Sequence, residues 1–179
     1  GNRLHEKRIH WWDKQLAEYS PLPNCDDFPA LWENALADNF DIDISDFPFW
    51  LLTSRSMQYS WGNNADIQLI KEVADNVAGH DGVVINAAKA TEMGIEDGDL
   101  LEIASPLAAT RGRAVLREGI RPDTLLMIGQ FDHWATPLAK QFNVPSMNKL
   151  MPMLFDLTDA TGSSADLVKA SVTLIGKPA

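Results

Sequence analysis

The sequence has few of the residues that assemble disulfides, metal clusters or membrane spans. Its single cysteine, Cys25, allows neither an internal disulfide nor a cysteine-ligated iron–sulfur cluster from this chain alone. It contains no run of about 18 apolar residues, so we expect no direct membrane insertion. Among its four histidines, only His5 and His10 lie close in sequence, and their spacing does not share one helix face. We therefore expect no metal-binding motif.

Basic residues are also scarce. The chain has 15 Lys and Arg against 25 Asp and Glu, a formal net charge of −10 at pH 7. The acidity is concentrated at the start, because residues 1–46 carry 10 acidic and 4 basic side chains, against 15 and 11 in the remainder. This balance argues against binding nucleic acid or an anionic membrane through the whole surface. It leaves room for one local anion site built from Arg and backbone N–H groups.

The length of 179 residues and the hydrophobic content of 45% predict one domain with a sizeable core. The chain opens on Gly1 rather than Met, as we expect of a processed or excised fragment. Residues 1–46 form a predicted connector, with a charged helix over 3–19 and a second helix, "ALWENALADNF", with Pro29 in its first turn. In "DIDISD" the alternation indicates a short edge strand or an acidic linker. Residues 47–179 form the main domain.

From residue 47 onward, short strands alternate with short helices. "FWLLT", "VVIN", "LLEIAS", "RGRAVLR", "TLLMIG" and "ASVTLIG" predict strands, and "AAKATE" predicts a helix that Gly94 closes. "ADIQLIKEVADNV" predicts another helix, with Asp66 in its first turn. Its predicted apolar face consists of Ile67, Ile70, Val73, Ala74 and Val77. The mixture predicts an α+β domain, mainly β, built as a β-barrel with helical insertions.

A polar stretch, "TSRSMQYSWGNN", separates the first strand from that helix. Arg pairs with phosphate in a forked geometry, while Ser and Thr hydroxyls and loop N–H groups donate to the remaining phosphate oxygens. The stretch is therefore a candidate phosphate-binding loop. The residues alone leave a second interpretation open, in which it is a polar loop that caps the following helix.

The ordered series "LLTSRSMQYS", "VVINAAKATEMGIEDGDLLEIAS", "GRAVLREGIRPDTLLMIGQ", "MNKL" and "DATGSSADLVKASVTLI" resembles a known family domain. It is similar to the C-terminal molybdopterin-dinucleotide-binding domain of the dimethyl-sulfoxide-reductase family of molybdenum and tungsten enzymes. The resemblance covers roughly residues 47–176, and "INAAKATEMGIEDGDLLEIAS" is its most specific part. It implies a six-stranded double-psi β-barrel.

The resemblance also implies a set of cofactor-binding residues and no catalytic residue or metal ligand within the chain. The set comprises Thr53, Ser54, Arg55, Ser56, Gln58, Ser60 and Asn63 after the first strand, and Asn148 and Lys149 in "SMNKL". Gln58 departs from the family pattern, which commonly has a His there, so this position cannot carry charge. We interpret "EDGD" as fold chemistry, with Asp99 bonding to backbone N–H groups. For Asp132, His133 and Trp134, contact with the cofactor and packing at the surface both stay open.

The implied function is binding of the guanine dinucleotide arms of a bis-pterin cofactor that carries molybdenum or tungsten in the full-length enzyme. An iron–sulfur cluster is expected only in upstream domains, so the isolated chain is expected to be catalytically inactive. Expected partners are the upstream domains of the same large subunit, an iron–sulfur electron-transfer subunit and a membrane-anchor subunit. The alternative is a stand-alone double-psi-barrel recognition module without cofactor. Substrate, metal and compartment, bacterial or archaeal cytoplasm or periplasm, stay open.

Overall fold

Six strands close into a barrel, and short helices connect or precede them. The computed structural model describes residues 2–10, 13, 27–59, 67–74, 76–77, 82–128, 145–154 and 167–177. The helices are α1 (Asn2–Glu6), α2 (Phe28–Phe40), a 3-10 turn (Ile44–Asp46), α3 (Gln68–Ala74) and α4 (Ala87–Glu92). The strands are β1 (Phe49–Ser54), β2 (Val83–Asn86), β3 (Leu100–Ala104), β4 (Ala109–Arg117), β5 (Thr124–Ile128) and β6 (Leu167–Gly176). No helix in the described ranges is long and apolar enough to cross a bilayer.

The strand order around the barrel is β1-β5-β2-β4-β3-β6, and the sheet closes on itself. β1 pairs with β5 and β2 pairs with β4 in parallel, while the remaining neighbours are antiparallel. Closure leaves no strand with an unpaired edge, which removes a site of uncontrolled association. The predicted six-stranded double-psi β-barrel with helical insertions is confirmed.

The strand directions define two ends of the barrel. At the upper end β1, β3 and β5 finish and β2, β4 and β6 begin, so the chain leaves and re-enters the barrel here between β1 and β2, between β3 and β4, and between β5 and β6. At the lower end lie α4, the "EDGD" turn, the β4–β5 turn and the chain before β1. The barrel therefore separates two groups of loops by the length of its strands.

Alternating apolar side chains fill the barrel. The fully buried ones share an inward direction on their strands: Leu51, Val83, Ile85, Leu101, Ile103, Leu125 and Val168. Burying one such side chain contributes about 1.5–3 kcal/mol. The backbones approach so closely at Gly82 that a Cβ there would lie 2.6 Å from Val115 Cγ2 and 2.7 Å from the Arg113 carbonyl oxygen. Only glycine fits this contact without a shift of the backbone.

The lower end is built by the segment that resembles the family most specifically. The Asn86 side chain caps α4 by accepting the Lys89 N–H at 3.0 Å, and its amide donates to the Ile120 carbonyl at 2.7 Å. The predicted closure by Gly94 is confirmed, because Gly94 has φ 70° and the next N–H returns to the Ala90 carbonyl at 2.9 Å. These bonds hold α4 against the β4–β5 turn.

The acidic turn that follows, "EDGD", stabilises the lower end of the barrel through hydrogen bonds to the backbone and to Lys177. Gly98 has φ 86°, which favours glycine. Asp97 Oδ1 accepts the Leu116 N–H at 2.9 Å. Asp99 is fully buried, and its Oδ2 accepts the Glu96 N–H at 2.8 Å and the Lys177 ammonium at 2.9 Å. The Glu96 N–H holds the pKa of Asp99 below its ordinary value, against burial, with help from Lys177. The interpretation of "EDGD" as fold chemistry agrees with these contacts.

The connector attaches to the outside of the barrel through a cation. Lys169 on β6 is 7% exposed, and its Nζ lies 3.0 Å from Glu33 Oε1 on α2. The same Nζ lies 4.5 Å above the ring of Trp50 on β1, a cation–π distance. A buried Lys needs such partners. The helix predicted from "ALWENALADNF" is thereby confirmed and tied to two neighbouring strands.

Other predictions for the helices need correction. The helix predicted over residues 3–19 is interrupted, because α1 ends at Glu6 and Arg8 adopts φ 54° and turns the chain. Asp13 is again helical, and residues 11–12 and 14–19 lie outside the described ranges. "DIDISD" forms a 3-10 turn rather than a strand, since Asp43 accepts the Ser45 N–H and closes the backbone locally. The helix α3 is confirmed, but its predicted apolar face is mostly exposed, with Val73 56% exposed and only Ala74 of the described face buried.

Candidate functional site

β1 carries the first predicted site residues to the upper end of the barrel. Thr53 and Ser54 close the strand, in register with Met127 and Ile128 of the parallel strand β5. Both side chains are partly exposed, and neither has a hydrogen-bond partner among the described residues. Arg55 follows at once and is exposed. A buried strand thus ends in two hydroxyls and a guanidinium at one rim.

The chain next makes a compact turn that uses its own side chains. Ser56 Oγ donates to Gln58 Oε1 at 2.5 Å and accepts the Gln58 N–H at 3.3 Å. The Tyr59 N–H donates to the Ser56 carbonyl at 3.4 Å, and Tyr59 is only 4% exposed. The Ser56 hydroxyl therefore serves the turn itself, which the sequence did not indicate. The Gln58 amide oxygen makes this internal bond, which leaves its two N–H donors without an acceptor among the described residues.

The second predicted segment reaches the same end by a different route. The Leu150 N–H donates to the Met147 carbonyl at 2.9 Å, so Asn148 and Lys149 are the two central, exposed residues of a turn. Met147 and Leu150 are 3% and 0% exposed and join the barrel core. The "M-x-x-L" pattern is the signal that could have revealed this anchoring.

A hydrogen bond fixes this turn to the barrel rim. The Ser146 N–H donates to Thr110 Oγ1 on β4 at 2.9 Å. Pro145 packs where a Cβ on Gly112 would come within 3.0 Å of its ring. Sequence reasoning missed these contacts, because Thr110 and Gly112 are far from "SMNKL" in the chain. The strand directions thus bring 53–59 and 145–154 to one end, whereas Ser60, Asn63, Asp132, His133 and Trp134 lie outside the described residues.

Two cations lie in the described loops at this end. Within loops 53–59, 105–108 and 145–154 the charged side chains are Arg55 and Lys149, while α3 in the connection between β1 and β2 carries Lys71 and Glu72. Acidic side chains, including Glu96, Asp97 and Asp99, lie at the lower end. Local cations favour the binding of an anion even on a protein of net charge −10.

The donors at this end fit a dinucleotide. A guanidinium and an ammonium match a pyrophosphate, the hydroxyls of Thr53 and Ser54 match further phosphate oxygens, and amides offer the paired donor and acceptor that a pterin or guanine edge requires. None of the described residues in these loops is a Cys, His, Asp or Glu that could bind a metal. The set can therefore bind and orient a phosphorylated heterocycle, and it contains no group for redox chemistry of its own.

The fold defines a β-barrel domain in which β1 ends in two hydroxyls and a guanidinium at the upper rim. Residues 49–167 match the family described as the molydopterin dinucleotide binding domain. The match covers most of the chain, and the chain belongs to this family. The resemblance to the corresponding domain of the dimethyl-sulfoxide-reductase enzymes is thereby confirmed, and membership implies a molybdopterin cofactor.

Two relatives extend the comparison. The chain is 28% identical over 130 residues to the arsenate respiratory reductase molybdopterin-containing subunit ArrA of Shewanella sp. (strain ANA-3), a match over 70% of this chain and 14% of that protein. It superposes on acetylene hydratase from Pelobacter acetylenicus with a TM-score of 0.65 and 11% identity, over 92% of this chain and 22% of that one. At this identity the structural likeness shows the fold alone. The chain spans less than a quarter of either relative.

Proposed function

We propose that the upper end of this barrel binds the guanine dinucleotide arm of a bis-pterin molybdenum or tungsten cofactor in the large subunit of an oxidoreductase. The observation that supports this most strongly is that two predicted segments, far apart in sequence, lie at one end of the barrel. Their described loops carry cations and no carboxylate. Membership in the molydopterin dinucleotide binding family identifies the ligand as a molybdopterin dinucleotide.

The loop after β1 takes the phosphates. Arg55 pairs with the pyrophosphate in a forked geometry, and the hydroxyls of Thr53 and Ser54 donate to further phosphate oxygens. Ser56 holds the turn through Gln58, whose amide N–H groups donate to the ligand. Ser60 and Asn63 extend the same set of donors. The neutral amide at position 58 provides positioning without a proton to transfer.

The turn between β5 and β6 takes the heterocycle. The Asn148 amide reads a pterin or guanine edge with its paired donor and acceptor, and Lys149 neutralises a phosphate. Because Met147 and Leu150 are buried in the core, this turn is held in place before the ligand arrives. Ordering the loop therefore costs little of the binding free energy.

The bound cofactor supplies the redox chemistry, and this domain contributes binding and orientation. Residues 1–46 are the connector from preceding domains of the same subunit, and residues 47–179 are the binding domain. Those preceding domains carry the metal ligand and the iron–sulfur cluster, so the isolated chain is inactive. An iron–sulfur subunit and a membrane-anchor subunit complete the assembly. A stand-alone recognition module is disfavoured, since such a module needs no Arg and hydroxyl cluster at the end of β1.

Isothermal titration of the chain with GDP, which mimics the guanosine phosphate arm, tests the proposal. Weak binding that disappears in Arg55→Ala is expected. The matched control is Arg121→Ala, an exposed arginine at the lower end that is paired with Asp123 at 2.6 Å. That variant should bind GDP like the parent. Binding that survives Arg55→Ala, or that is lost equally in both variants, would contradict the assigned site.

The full-length enzyme gives the second readout. Arg55→Ala should lower its pterin and metal content, because a phosphate charge loses its partner. Arg121→Ala should retain the parent content. Unchanged pterin and metal in Arg55→Ala would refute the role of this residue.

A further inference from the structure

Two histidines and an aspartate that are separated in sequence meet in the connector. His10 Nδ1 lies 3.0 Å from Asp13 Oδ2, and His5 Nε2 lies 3.8 Å from Asp13 Oδ1. The two imidazole rings are 5.4 Å apart, inclined at 60°. One potential ligand atom from each of the three residues lies within 4.8 Å of the others. The spacing of the two histidines does not place them on one helix face, yet the structure brings their rings together.

The backbone explains how the histidines meet. At the end of α1 the Arg8 N–H donates to the His5 carbonyl at 2.9 Å, and the Ile9 N–H donates to the Leu4 carbonyl at 2.9 Å. This pair of bonds, with Arg8 at φ 54°, is a Schellman motif. It reverses the chain so that His10 returns beside His5. The Asp13 N–H then donates to the His10 carbonyl at 3.1 Å, which places the carboxylate between the rings.

One oxygen of the Asp13 carboxylate is buried without a hydrogen-bond donor in the described part of the chain. Asp13 Oδ1 is shielded from solvent and has no hydrogen-bond donor within the described residues, since His5 Nε2 at 3.8 Å is too far. A shielded carboxylate oxygen without a donor is costly. A cation between Oδ1 and the imidazole nitrogens would satisfy it.

We propose that His5, His10 and Asp13 bind a divalent transition metal of the zinc class. Imidazole nitrogen and carboxylate oxygen are zinc ligands at about 2.0–2.2 Å, which sets neighbouring ligand atoms roughly 3.3–3.5 Å apart in a tetrahedron. The observed separations are close to that value, at 3.0 Å from His10 Nδ1 to Asp13 Oδ2 and 3.8 Å from His5 Nε2 to Asp13 Oδ1, so a small rearrangement of the three side chains would bring their ligand atoms around one metal. Three protein ligands leave the fourth position to water. The metal joins α1 to Asp13 and stabilises the turn between them.

Zinc titration of the whole chain without a histidine tag, in excess Mg²⁺, tests this site. Mg²⁺ occupies oxygen-only sites on the acidic surface, so the remaining heat reports nitrogen-containing sites. We expect one zinc per chain, and one Co²⁺ with the absorption of a tetrahedral centre. Removal of a group that merely supports a ligand costs about 10–100-fold in affinity. We therefore expect His5→Gln, His10→Gln and Asp13→Asn each to weaken zinc binding by at least about tenfold.

Two sets of controls make the result decisive. His80→Gln removes a histidine that is not one of the three proposed ligands and should leave the affinity unchanged. Arg8→Gly keeps the left-handed turn and should bind like the parent, whereas Arg8→Val opposes φ 54° and should weaken binding although every ligand is present. Absence of a stoichiometric site, or equal affinity in the parent and the three ligand variants, would overturn the proposal. Parent-like binding by Arg8→Val would overturn the assigned role of the turn.

Discussion

The anchoring of the Asn148–Lys149 turn leads to a sharp prediction about Leu150→Ala. Leu150 is 0% exposed and belongs to the barrel core, so its truncation removes buried contacts and leaves a cavity. Such changes cost about 2–5 kcal/mol in free energy of unfolding. With a urea dependence of about 2 kcal/mol per molar, the unfolding midpoint should fall by roughly 1–2.5 M.

The same segment provides the matched control. Met153 is 90% exposed, so Met153→Ala removes a comparable apolar side chain that has little to lose. Its free energy of unfolding should stay within about 0.5 kcal/mol of the parent. Urea unfolding followed by tryptophan fluorescence and circular dichroism compares the two variants under identical conditions. Coincident transitions by both probes establish that unfolding is two-state.

The Leu150→Ala variant also tests whether anchoring of the Asn148–Lys149 turn affects GDP binding without any direct contact between Leu150 and the ligand. If the buried side chain holds the turn that binds the heterocycle, GDP affinity should fall in Leu150→Ala and persist in Met153→Ala, although neither side chain is a proposed ligand contact. Equal stability of the two variants would refute the packing of this segment in the core. A destabilised Leu150→Ala that binds GDP like the parent would refute preorganisation of the turn.

Further predictions concern the lower end of the barrel. The lowered pKa of Asp99 means that its carboxylate stabilises the fold above the unfolded value near 3.9, and that this contribution is lost as pH falls through the folded pKa. Lys177→Met should therefore move acid unfolding to higher pH, and Lys7→Met should not; identical acid transitions would contradict the pairing. Gly98→Ala, at φ 86°, should cost about 1–2 kcal/mol in thermal unfolding. Gly119→Ala, with nothing within 4 Å of the added Cβ, should cost less than about 0.5 kcal/mol, and equal losses would refute the turn argument.

Local signals were enough to predict much of the barrel. Apolar runs marked the six strands, and Gly94 marked the end of α4, because each signal reports a constraint within a few residues. The placement of the site loops at one end could follow only from the family resemblance. Strand order depends on contacts such as β1 with β6, which no local pattern encodes.

The features that the sequence did not predict also have physical causes. Arg8 occupies a left-handed conformation that glycine normally takes, so the end of α1 carried no sequence signal. The meeting of His5 and His10 depends on that turn and was missed for the same reason. Periodicity identified the apolar stripe of α3, but it does not report what the stripe faces, and Val73 is 56% exposed. The partner of Ser56 was missed because a hydroxyl in a loop can serve either a ligand or its own turn.

The position of β6 has a consequence for the order of folding during synthesis. This strand comes last in the chain, yet it pairs with both β1 and β3 and closes the barrel between them. Until β6 leaves the ribosome, β1 and β3 therefore present unpaired edges that can join other chains. Its pairing with β1 spans most of the sequence, and such long-range contacts form slowly. The barrel can therefore close only after Leu167–Gly176 has been synthesised, and until then its open strand edges are exposed to aggregation.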